Sequence, residues 1–142
     1  MIENVIHNQK LLSVIIRANY KSYGIEFFTP DEFSQQLAYM NRQKDYVIPP
    51  HVHKPIQRDV HFTQEVLVIK TGKVRVDYYD DDKKYLESKV LNQGDVVLLA
   101  FGGHGFEMLE DSEIIEIKQG PYAGEMDKIR FDPVSKDRVK VK

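Results

Sequence analysis

His51 and His53 stand two residues apart behind Pro49 and Pro50, Glu65 opens an apolar run, and His104 follows a second run, Val96 to Leu99. On an extended chain, side chains two apart project to the same side, so the imidazoles of His51 and His53 can converge on one ion. The two prolines stiffen the approach and forbid a helix there. Glu65 shares parity with Leu67 and Ile69, which are expected to face a core. A carboxylate heading such a row is costly unless it is paired or bound to metal. His104 is the required fourth partner. Three imidazoles and a carboxylate make a mixed nitrogen and oxygen site suited to a borderline divalent transition metal: Fe, Mn, Ni, Co or Zn. Any one of these histidines alone reads more naturally as a hydrogen-bonded structural residue. The order and spacing of the four favour a metal site.

Other residues bear on what such a site would do. His61 shares parity with Thr63 and Glu65, and reads as a second-layer partner, a general base or a surface residue of a long loop. Arg58 carries a planar fork that matches a carboxylate or phosphate, so it is the candidate for gripping an anionic substrate, against the plainer reading of a solvated loop arginine. Phe101 and Phe106 flank His104 and would supply an apolar wall to a pocket. Tyr122, in Gln119-Gly120-Pro121-Tyr122-Ala123-Gly124, is a candidate lid or proton donor, with a packed turn tyrosine as the alternative. Asp80, Asp81 and Asp82 read as a solvated hairpin tip. His7 and Gln64 receive no role.

The elements that must position these groups read as short strands separated by turns. Val66 to Ile69 ends at Thr71-Gly72; Lys73 to Tyr78 alternates and stops at the three aspartates; Tyr85 to Leu91 leads into the turn Asn92-Gln93-Gly94-Asp95. Val96 to Leu99, Phe106 to Leu109 and Glu113 to Lys118 follow. This rhythm predicts an antiparallel sandwich or barrel. Nearer the N-terminus, Leu11 to Ile16 and Gly24 to Phe28 read as strands. Thr29-Pro30-Asp31-Glu32 has a helix-start pattern, expected as one helical turn before a strand within Gln35 to Met40 that would partner Asp45 to His53. The tail beyond Phe131 is polar and expected to be peripheral.

The motifs resemble those of the cupin superfamily. That family's first motif runs from His-x-His to a glutamate and a glycine seven residues beyond it, matched here by His51, His53, Glu65 and Gly72. Its second opens with Gly-Asp and ends in a histidine, matched by Gly94, Asp95 and His104. The resemblance spans about residues 36 to 120. It implies an all-β, cupin-type jelly-roll barrel holding a metal on His51, His53, Glu65 and His104, preceded by an N-terminal strand extension over residues 1 to 35 and followed by a polar tail from 132 to 142. The chain departs from the pattern in three places. Eleven residues separate His53 from Glu65, where the family has about three or four, an insertion that loop-closure entropy tolerates. Ala100-Phe101-Gly102-Gly103 replaces a proline-containing segment, its glycines still permitting a close approach. Met108 stands where the family often has asparagine.

At 142 residues the chain suits a single domain with one core. A net charge of −2, from 20 basic and 22 acidic residues interspersed, advertises no nucleic-acid or membrane surface. Without cysteine it can hold no disulfide or thiolate site, which agrees with a cytoplasmic location. Leu11 to Ile16 is too short to span a bilayer; its apolarity is expected to be covered by a second subunit in a two-fold homodimer. Two functions follow. The first is an enzyme acting on a small polar metabolite, a sugar-like one among the candidates, by isomerase, epimerase or oxygenase chemistry at a metal with an open coordination position. The second is a non-catalytic module that binds a metal and a small ligand.

Overall fold

The computed structural model describes residues 1–142. It is all-β: ten strands and two short 3-10 turns, with no helix long and apolar enough to cross a membrane. The chain divides into two compact units, one made of Met1–Tyr20 with Phe62–Lys142 and the other of Lys21–His61.

The larger unit contains β1 (Ile2–His7), β2 (Lys10–Ile16), β5 (Glu65–Thr71), β6 (Lys73–Tyr79), β7 (Tyr85–Asn92), β8 (Val96–Leu99), β9 (Gly103–Met108) and β10 (Glu113–Lys118). They form a five-stranded sheet in the order β1-β2-β8-β5-β10 and a three-stranded sheet in the order β7-β6-β9. All pairings are antiparallel. The sheets remain separate and are not joined into a closed barrel.

Register explains the core. Glu65, Leu67 and Ile69 of β5 lie opposite Lys118, Glu116 and Ile114 of β10, while Glu65 and Leu67 also face Leu99 and Val97 of β8. These alternate positions share one face, and its apolar members pack with Val74, Val76 and Tyr78 of β6. Each fully buried aliphatic side chain in such a layer contributes about 1.5–3 kcal/mol relative to exposure. Burial, more than strand propensity, holds the sheets together.

The segment Leu11 to Ile16 differs from its expectation. Its strand, β2, is interior, paired with β1 on one side and β8 on the other. Leu12 to Ile16 are buried within the chain itself. Its apolar character therefore has an intramolecular cause, and the ground for inferring a homodimer from it is gone. Residues 1 to 35 likewise supply two strands of the main sheet, so β1 and β2 are part of its body.

The polar tail is docked. Ser88 of β7 donates its backbone N–H to Lys140 O and accepts from Lys142 N, making a short parallel bridge with Val141. Phe131 packs edge-on against Tyr79, whose hydroxyl accepts the Val134 N–H.

The smaller unit holds β3 (Gly24–Phe27) and β4 (Ala38–Asn41), an antiparallel two-stranded sheet. Thr29 opens no helix. Its hydroxyl accepts the Leu37 N–H and donates to Gln36 Oε1, closing the loop between the strands. Asp45 to His53 forms no strand either. Pro49 and Pro50 lack ladder donors, and Asp45 sits at φ +67, outside extended geometry.

Candidate functional site

Glu65 is the first residue of β5, on the inward face, and only 8% exposed. His104 lies on β9 opposite Tyr78 of β6, so its ring comes from the other sheet. The two meet: His104 Nε2 is 3.2 Å from Glu65 Oε2. With the carboxylate as acceptor, Nε2 carries the proton of this contact. The register of β10 adds Lys118, which shares the inward face with Glu65. Its Nζ is 3.7 Å from Glu65 Oε1 and 2.9 Å from Glu116 Oε1. Phe106, two residues along β9 from His104, has its ring centroid 5.4 Å from the imidazole.

The electrostatics of Glu65 follow from these neighbours. The His104 hydrogen bond holds its carboxyl below the usual carboxylate range, burial opposes this, and the Lys118 charge adds to the lowering. The result is a buried, anionic oxygen donor with cationic or polar partners on both oxygens.

His51 and His53 lie in the smaller unit, on exposed chain outside any strand. Their rings are 5.2 Å apart and nearly perpendicular. His51 Nδ1 is 3.0 Å from the Pro49 carbonyl. A carbonyl can only accept, so Nδ1 carries the proton, and in the neutral ring Nε2 is the atom with the lone pair. Backbone carbonyls commonly fix a metal-binding imidazole in this way. Each unit thus brings together two of the four expected donors. Within neither unit do three imidazole or carboxylate groups gather as a ready-made metal-holding cluster.

Arg58 and His61 are exposed on the strand-free segment before Phe62. Tyr122 follows β10 and is likewise exposed. Phe101 stands edge-on to Phe62, with Lys10 Nζ 4.8 Å from its ring centroid. Phe106, one of the two expected wall residues, is seated beside His104.

The Gly-Asp pair of the second motif has a structural role. Asp95 is buried; its Oδ1 accepts the Ala18 N–H, and its Oδ2 accepts both the Asn92 N–H and Arg17 Nη1 at 2.8–2.9 Å. Gly94, at φ +85, lies where an added Cβ would come within 2.9 Å of Ala18 Cβ. This clamp sets the start of β8, and through β8 the register of β5 on which Glu65 depends. The three aspartates form a hairpin tip, as expected, with Asp80 Oδ1 accepting the backbone N–H groups of Asp82 and Lys84.

Lys118 and Glu116 were missed as neighbours of the site. Their signal was parity with Ile114, three alternate positions of one strand, but nothing in the chain announces which strand lies beside β5.

Comparison of the chain with protein-family models, with curated proteins and with solved structures found no match.

Proposed function

We propose that the chain is a metal-binding protein of cupin type, with a jelly-roll arrangement of its two larger sheets, that handles a small polar metabolite. The observation carrying this reading is the meeting of Glu65 and His104, 39 residues apart and on different sheets, at 3.2 Å. Support for the jelly-roll part of the reading is that β5 pairs antiparallel with β8 and β10, and β6 with β7 and β9, in two separate sheets. The donor chemistry fits a borderline divalent ion: a buried carboxylate oxygen and imidazole nitrogens, one of them held in the tautomer that leaves Nε2 free.

His51, His53, Glu65 and His104 would hold that ion. When bound, it would supply Lewis-acid chemistry suited to polarising a carbonyl, or redox chemistry suited to oxygenation. The remaining work falls to the chain. Phe106 would wall one side of His104. Arg58 would bind an anionic group of the substrate, and His61 or Tyr122 would move a proton in an isomerisation or epimerisation. Enzyme or binding module, the same donors are required.

A metal-free reading is favoured by one observation: Lys118 already approaches Glu65 Oε1, so the carboxylate has compensation without an ion. Elemental analysis separates the two. The proposal expects about one divalent metal per chain, lost in His51→Ala and in His104→Ala and kept in His7→Ala. Full metal content in both site variants rejects the ligand set. Catalysis is read separately, as dioxygen consumption with Fe(II) or as exchange of a substrate proton with solvent deuterium, while a binder shows only a ligand-dependent rise in Tm.

A further inference from the structure

The compact unit Lys21–His61 has no core of its own. Every buried hydrophobic residue of the chain lies in the other unit, whereas ten large hydrophobic side chains of this segment are exposed. Val52 is 91% exposed, Tyr23 83% and Val47 75%; Phe27 and Ile56 are also exposed. Its only sheet is the two-stranded β3–β4 ladder, and an isolated pair of strands is marginally stable in water. Single exposed hydrophobic residues are ordinary, but a concentration of this kind marks an interaction surface.

We propose that Lys21–His61 is a docking arm whose apolar side chains are covered by a second copy of this chain. Area supports the choice. Ten such side chains present on the order of 1,000 Å² of apolar surface, an aromatic ring alone covering about 150–250 Å². A standard specific interface takes about 800 Å² from each partner. Charge supports it too: the segment carries five basic and five acidic residues, so two copies meet no like-charge field. A two-fold contact uses the same patch on both molecules, which a net-neutral apolar surface satisfies. The arm also bears His51 and His53, and its association would hold the segment that presents them.

The test uses the full chain stripped of metal, so its outcome is independent of the ligand set. Sedimentation equilibrium across the micromolar range is expected to give the mass of a dimer. Tyr23→Asp combined with Val47→Asp, both outside the strands, is expected to weaken dimerisation at least tenfold while the β-type far-UV spectrum and a cooperative melt persist. A parent chain that is monomeric throughout that range overturns the proposal. So does a double variant that dimerises as tightly as the parent. Should the double variant lose its fold, hydrogen exchange of the parent decides: protection of residues 21–61 that rises with protein concentration supports the arm, and protection independent of concentration overturns it.

Discussion

The Ser13 hydroxyl donates to the Tyr78 hydroxyl at 2.8 Å in the buried core, a side-chain bond that ties β2 of the five-stranded sheet to β6 of the three-stranded one. Both residues are almost wholly enclosed, and burial raises the Tyr78 phenol far above its ordinary range. Ser13→Ala leaves the Tyr78 oxygen without its donor and is expected to cost about 1–3 kcal/mol. Tyr78→Phe should cost a similar amount. The double variant should fall well short of the sum, because the second change removes the group that the first left unsatisfied. Urea unfolding of the four proteins measures the coupling; strict additivity would mean that the bond contributes nothing.

Arg17 joins Glu3 at 2.6 Å and Asp95 at 2.8 Å, linking β1 to the turn before β8. Its hydrogen bond lowers the Glu3 pKa from 4.5, with Lys89 assisting against burial. A carboxylate whose folded pKa is depressed adds stability that is complete above its unfolded pKa and disappears as pH falls through the folded value. Glu3→Gln should therefore lower stability at neutral pH by about 1 kcal/mol, the partial exposure of the pair keeping the figure small. The difference from the parent should close below pH 4.5. Denaturant midpoints measured across this range provide the check.

Asp95→Ala should be more damaging, by about 1–3 kcal/mol for each group left unsatisfied, since it removes the acceptor of two backbone N–H groups and one of the two carboxylates on Arg17, which keeps Glu3 and the Val90 carbonyl. By shifting β8 it should also loosen the Glu65–His104 contact. The measurable consequence is broadened His104 side-chain resonances in Asp95→Ala, beside sharp ones in a control such as Lys44→Ala.

Gly72, at φ +82, has no room for a side chain: an added Cβ would lie 2.2 Å from Asp111 O. Gly72→Ala combines left-handed strain with a backbone clash and should destabilise by more than about 2 kcal/mol. Gly120 has nothing within 4 Å of such a Cβ, so Gly120→Ala should be close to neutral. A fall in Tm for both, of equal size, would contradict this assignment.

Lys118→Met bears on the metal-free reading. If the ammonium competes for Glu65, removing it should tighten Zn(II) binding by roughly tenfold, about 1.4 kcal/mol. Isothermal titration of both proteins at one ionic strength measures the change, and weaker binding in the variant would remove Lys118 as a competitor.

Much of this protein was legible in its sequence because strands announce themselves by local alternation. β5 through β8 and β10 fall close to where the patterns of Glu65 to Leu99 and Glu113 to Lys118 put them, and the turns at Gly72, Asp80 and Gly94 come from residues whose own chemistry makes turns. Parity alone placed Glu65 on the inward row. β1 escaped because Glu3, Asn4 and His7 dilute its pattern, and it exists as the outer partner of β2. Leu12 to Ile16 could not reveal that both faces are covered by its own chain, since composition records burial and not what causes it. Thr29 had a capping side chain, and only the Gln36 and Leu37 contacts decided that it closes a loop. The meeting of Glu65 with His104, and the arrival of Lys118 beside them, depend on which strands become neighbours across 39 and 53 residues of chain. That choice is made by packing summed over two whole sheets, a quantity that no local stretch of residues contains.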